Sequence, residues 1–208
     1  SLVGSEMCIR DSRLSEAYIL PFRFVNMVDN IGQFIKDNKK LYQVVQQSTE
    51  QRNRLLDNED FTISRNPKKT YLPPERLPQV PGFDFKPLDD AFARLTSNAW
   101  KYEDALFNFK KGSLSAEKKS EINALLKGVD QAFINIEGLP RRDWFKNMMY
   151  APGYYTGYGV KTLPGIREGL EERQWDEVRK YIKEVSKALD RASAVSYTHL
   201  RAHETTSD

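Results

Sequence analysis

Three observations predict an all-α fold, read as a four-helix bundle. Apolar residues recur at alternating spacings of three and four along four separate stretches. Proline, glycine and capping residues fall where such helices would begin and end. The chain's 208 residues, with 39% hydrophobic and 29% charged side chains, suit one well-buried core and not a disordered polymer.

The first helix is expected to begin after Leu20–Pro21, since proline is tolerated only in a helix's first turn. Val28, Ile31, Ile35, Tyr42 and Val45 then form one stripe to about Thr49, with Asn38 as its polar break. Polarity suggests that this helix fades through Gln51–Asn58. In the second helix Pro87 falls in the first turn, with Asp89 and Asp90 near the positive end of the helix dipole. Leu88, Phe92, Leu95, Ala99, Tyr102, Leu106 and Phe109 follow without a gap, and Gly112 stops the run. Ser115 is the natural N-cap of a third helix carrying Ile122, Leu125, Val129, Phe133 and Ile136, ending near Gly138–Leu139–Pro140. The fourth holds Trp175, Val178, Ile182, Val185, Leu189 and Ala192. Such near-3.5 seams are what helices packing at shallow angles require.

Two segments interrupt this pattern. Residues 57–86 contain five prolines and one glycine, and are too long for an ordinary bundle connection. They read as a surface excursion pinned by Tyr71, Phe83 and Phe85, or as an arm reaching a partner. Residues 150–165 contain four tyrosines and four glycines, which suits a compact loop that presents aromatic hydroxyls. Pro164–Gly165 should then open a short helix, Ile166–Glu172.

The termini show no sustained period, and SLVGSEMCIRDS and VSYTHLRAHETTSD resemble translated sequencing-adapter tails. Residues 1–12 and 195–208 are therefore read as non-native tails flanking a domain at 13–194. Cys8, His199 and His203 all lie in those tails. Setting Arg10 and Arg201 aside from 32 basic residues, and Glu6, Asp11, Glu204 and Asp208 from 29 acidic ones, leaves 30 against 25, about +5.

Without histidine or cysteine, residues 13–194 lack the usual zinc ligands and the imidazole of Ser–His and Cys–His nucleophile systems. No phosphate-cradling glycine motif is present, and Tyr155–Gly159 fits neither nucleotide fingerprint. One cysteine excludes a disulfide scaffold, and no apolar run approaches the ~20 residues of a membrane span. The pairs Lys39–Lys40, Lys110–Lys111, Lys118–Lys119 and Arg141–Arg142 are scattered, which reads as solvated helix faces and not as a nucleic-acid patch.

Leu139–Pro140–Arg–Arg–Asp–Trp–Phe145, Tyr150–Ala151–Pro152, Leu163–Pro164–Gly165–Ile166 and Trp175–Asp176–Glu177–Val178 together resemble one known domain. It is the C-terminal, transferrin-receptor-like helical dimerisation domain of the glutamate carboxypeptidase and N-acetylated alpha-linked acidic dipeptidase family of zinc peptidases. Ile19–Leu20–Pro21–Phe22 resembles the segment by which that family leaves its peptidase domain, so the likeness covers roughly residues 15–194. The resemblance implies a fragment, catalytically silent alone. Zinc and the general base would belong to a missing peptidase domain, and no cofactor or metal is expected on these residues. The implied partners are that domain, a second copy in a homodimer, and peptide substrate at the 150–165 loop; neither nucleic acid nor a membrane segment is implied. Family members are commonly extracytoplasmic. The open alternatives are a peptidase-dead, receptor-like parent and an unrelated partner-binding bundle; the absence of any Asn-x-Ser/Thr sequon leans away from a cell-surface receptor.

The resemblance also names site residues. The family's glutamate carboxypeptidases bind the substrate's C-terminal glutamate through a Lys–Tyr pair in this loop. The tyrosine falls on Tyr158 and the lysine on Gly157. A charge-assisted hydrogen bond is worth about 1.5–3 kcal/mol, so its loss implies a parent without strict preference for terminal glutamate. Lys161, four residues on, is the candidate substitute cation, and Tyr158 would orient substrate through its hydroxyl without taking part in bond cleavage.

Overall fold

The computed structural model describes residues 23–60, 74–107 and 115–204, with side chains as far as Val195 apart from that of Leu125. It is mostly helical. In order come α1 (Phe24–Asp57), α2 (Lys86–Phe107), α3 (Ala116–Lys127), a 3₁₀ turn (Val129–Phe133), β1 (Tyr150–Pro152), β2 (Val160–Thr162), α4 (Pro164–Glu171) and α5 (Trp175–Glu204).

The α5 stripe lies at the centre of the core. Val178, Ile182, Val185, Leu189 and Ala192 are all buried, and Trp175 packs at their edge. Against α5 lies α2, whose Leu88, Leu95, Ala99 and Tyr102 are buried as the spacing predicts, with Phe92 and Leu106 partly covered. Phe109 and Gly112 lie outside the described residues. Each Leu or Ile withdrawn fully from water contributes about 1.5–3 kcal/mol, so this seam dominates the stability. At its rim, Arg94 donates two hydrogen bonds to Asp190, at 2.9 and 3.1 Å, tying α2 to α5.

The first half of α1 buries Val28, Ile31 and Ile35 and contacts α2. The helices meet closely at Gly32, where a Cβ would stand 2.8 Å from the Phe92 ring. Contrary to the expected fading, α1 continues to Asp57. Its polar last turns act as a clamp. Asn53 donates to Leu77 O at 2.8 Å and accepts from Leu77 N–H at 3.1 Å, and Arg52 donates to Glu75 O. Side-chain amides thus satisfy a backbone that forms no ladder of its own, which hydrophobic periodicity could not register. Phe83 and Phe85 pin the excursion against Tyr42, with ring centroids 5.3 and 5.7 Å away; Tyr71 lies outside the described residues.

The third helix is the chief difference. Ser115 caps α3 as expected, its hydroxyl accepting from Lys118 N–H, but the helix stops at Lys127 before Gly128. The following 3₁₀ turn buries Val129, Ala132 and Phe133 and then passes into extended backbone at Ile134. The tighter 3₁₀ winding breaks the 3.6 period, and Ile136, assigned to the buried stripe, is 84% exposed. Leu126 and Ile122 supply the buried face of α3. The α5 backbone continues to Glu204, since a formed helix propagates at little cost.

Candidate site: a tyrosine hairpin on a charged corner

The Tyr/Gly-rich segment is a two-stranded antiparallel hairpin, not an irregular loop. Tyr150 pairs with Thr162, Ala151 with Lys161, and Pro152 with Val160. Its tip closes on itself: Gly153 N–H donates to Gly159 O (2.8 Å), and Gly157 N–H to Gly153 O (3.0 Å). Gly157 has φ +61°, a conformation glycine adopts without strain.

The hairpin is held at its base and by two helices. At its base Leu163 N–H donates to Met149 O, and the buried Leu163 takes φ +46° as it leads into Pro164 and α4. From α1, buried Asn38 donates to Thr162 O at 3.3 Å and to Phe34 O at 2.8 Å. The polar break in the first stripe is therefore a tether to the end of β2. From α4, Glu168 Oε1 accepts the Tyr154 N–H at 2.9 Å. Gly165 lets α4 press onto α5, because a Cβ there would sit 2.2 Å from the Tyr181 ring. Burial pushes the Tyr181 phenol above its usual range, and its hydroxyl donates to Gly138 O at 2.9 Å.

Beneath the tip lies a charged corner. Leu139–Arg142 form a tight turn, Arg142 N–H donating to Leu139 O, with Pro140 second and Arg141 third at φ +62°. That is the type II signature, and it sends the two arginines in different directions. Arg141 makes a two-pronged pair with Glu177 at 2.8 and 3.2 Å. Arg142 turns inward: its Nη2 lies 3.0 Å from Glu168 Oε1 and 2.8 Å from Oε2, with side chains 4% and 6% exposed. Both guanidinium groups approach the Tyr154 ring, at 5.4 and 5.9 Å from its centroid. The reading of Arg141–Arg142 as a solvated face is thereby corrected for Arg142, which is buried; Arg141 is exposed and pairs with Glu177.

The expected site residues separate here. Lys161 lines a cavity of about 220 Å³ together with Arg141, Tyr154, Tyr155, Thr156 and Glu171. Its ammonium sits 2.9 Å from both Glu171 oxygens, and Arg167 shares that carboxylate. Tyr158 and Gly157 lie apart at the tip. Tyr158 is fully exposed, and among the described residues nothing approaches within 4 Å of where a Gly157 side chain would begin. The periodicity reading missed Asn38, Arg142 and Glu168 as site-builders. Only Asn38 left a trace, as a polar residue on an apolar stripe.

The arrangement offers phenol hydroxyls, cations and carboxylates suited to binding. Among the described residues no three His, Cys, Asp or Glu side chains converge as a metal ion would need. No helix among them is long and apolar enough to cross a membrane.

The profile of the transferrin receptor-like dimerisation domain matches residues 83–195, taking in the charged corner, the hairpin, α4 and most of α5. Relatives include an inactive zinc metalloprotease of Schizosaccharomyces pombe, 26% identical over 130 residues, which are 57% of this chain and 16% of that protein. A probable glutamate carboxypeptidase of Arabidopsis thaliana is 31% identical over 93 residues, 41% of this chain and 14% of its own length. Another, of Arthroderma benhamiae, is 31% identical over 77 residues, 37% of this chain and 11% of its own length. The chain thus spans less than a fifth of the length of each of these relatives.

Proposed function

This chain belongs to the transferrin receptor-like dimerisation domain family, and we propose that it serves a zinc-dependent exopeptidase of carboxypeptidase or dipeptidase type. In that reading residues 13–194 are the domain, four of its helices (α1, α2, α3 and α5) form the bundle, and it acts outside the cytoplasm. It makes the parent a homodimer and completes the substrate pocket without catalysing anything itself. Zinc and the general base are supplied by the peptidase domain.

The observation that carries the proposal is the exposed Tyr158 hydroxyl, held at the tip of a hairpin closed at its base and anchored to α1 and α4. A group meant to meet a ligand from another domain should be free in the isolated chain yet supported from behind. Tyr158 orients peptide substrate, and the parent lacks strict preference for terminal glutamate because Gly157 offers no cation. Lys161 reaches a substrate carboxylate only by exchanging it for Glu171. In the full-length parent, Tyr158→Phe should raise KM several-fold with kcat little changed; an unchanged KM would overturn the substrate role. Sedimentation of the parent at micromolar concentration should show a dimer.

A second reading has its own support. Of these relatives, the one sharing the longest stretch with this chain is named an inactive zinc metalloprotease. If the parent is peptidase-dead, it will hold no stoichiometric zinc after purification, and the hairpin would meet a partner rather than a substrate. Membership of the family weighs against the third alternative, an unrelated bundle.

A further inference from the structure

We propose that Glu168 and Arg142 are positioning residues, a buried latch that sets where the tyrosine hairpin points. The starting point is an imbalance in how the tip is held. Of the hydrogen bonds made by residues 153–159, the one that leaves the hairpin, among the described residues, is Tyr154 N–H to Glu168 Oε1. The remainder close the tip upon itself. A hairpin of two three-residue strands has little stiffness of its own, so its direction depends on that strut to the tip, on the Lys161–Glu171 pair that ties β2 to α4, and on its base.

The strut ends on an ion pair that is poor value as a stabilising device. Arg142 and Glu168 are almost wholly removed from water, yet Arg142 Nε and Nη1 are buried without hydrogen-bond partners among the described residues. A buried pair so incompletely satisfied is commonly no more stable than apolar side chains of the same size. What apolar side chains cannot do is accept a backbone N–H at a fixed point. Arg142 supplies the fixing: its guanidinium is a rigid planar fork, it holds the carboxylate, and it lies beside the ring of the same Tyr154 whose amide the carboxylate accepts. The strained turn at Arg141 delivers Arg142 inward, and the close α4–α5 approach at Gly165 sets Glu168 from behind. Turn, pair and strut connect two packed helices to the tip that carries Tyr158.

The inference takes its significance from the pocket-completing reading, but its test needs no peptidase. In this chain, Arg142→Met/Glu168→Met removes both charges together and leaves the Tyr154 amide without an acceptor. Hydrogen exchange followed by NMR should then quicken at least tenfold at Tyr154 and the tip amides, with α5 amides unchanged. Arg142→Met/Glu168→Gln, equally uncharged but retaining an acceptor oxygen, should restore most of the protection. If the first variant does not fold, Glu168→Asp keeps the charge pair and shortens the arm, and should loosen the tip in the same way. Equal tip exchange in the Met and Gln variants, or quickening spread evenly through α5, would overturn the latch. Normal latch behaviour beside a full-length parent indifferent to Tyr158 would instead sink the pocket reading and leave the latch standing.

Discussion

Along the seam between α2 and α5, Leu88, Leu95, Ala99, Leu189 and Ala192 are each 1% exposed or less, and little there asks for a particular direction. At the corner where the hairpin meets α4, the buried groups are a guanidinium, a carboxylate and a side-chain amide, held by directional hydrogen bonds to named partners. Apolar contact is non-directional and tolerates small shifts; a charged hydrogen bond in a dry place does not. The seam therefore holds the domain together, while the corner decides where one exposed tyrosine sits. Stability and aim are assigned to different regions, and they should respond differently to substitution.

The largest effect expected is at the corner. Glu168→Ala strands the Arg142 charge in the interior and should cost about 3–5 kcal/mol in chemical denaturation. Leu189→Ala, at the seam, should cost about 2–4 kcal/mol through lost contact and an unfilled cavity, with tip exchange changed no more than the global stability requires. If Leu189→Ala loosened the tip selectively, the division of labour would be wrong. Asn38→Ala should cost about 1 kcal/mol and quicken exchange near Thr162 first. Tyr158→Phe should leave stability within about 0.5 kcal/mol, because the side chain is fully exposed.

Alkali offers a finer probe of the seam. Burial raises the Tyr102 phenol from 10.0 to about 12, so the folded state keeps a proton that the unfolded chain gives up. Tyr102's contribution is fully present below pH 10 and is lost as pH climbs toward 12. Tyr102→Phe should flatten that decline, as followed by denaturation midpoints between pH 9 and 11.5.

What could be read from the sequence follows the same division. The stripes of α2 and α5 were legible because burial there is one-sided and periodic, residue after residue. The end of α3 was not: Ile136 keeps the helical spacing but lies beyond Gly128, where the winding tightens, and spacing alone cannot report a change of winding. The last turns of α1 seemed too polar to persist, since Asn53 and Arg52 earn their place by binding a segment some two dozen residues away. Arg142 resembled its solvated neighbour because the chain reversal separating them rests on one dihedral angle. The hairpin's importance was visible from its composition, but its supports are side chains distant in sequence.

The α1 helix reaches the far half of the molecule twice. Asn38 binds Thr162 and Thr49 accepts from Arg173, each link bridging 124 residues, so two rungs join α1 to the stretch containing α4. Their feet on α1 are about 16 Å apart at 1.5 Å per residue, and they straddle α4 like the ends of a ladder. A frame crossed twice resists shear, so a push delivered to the amino-terminal helix would travel to the tyrosine as a rigid displacement instead of dissipating in between.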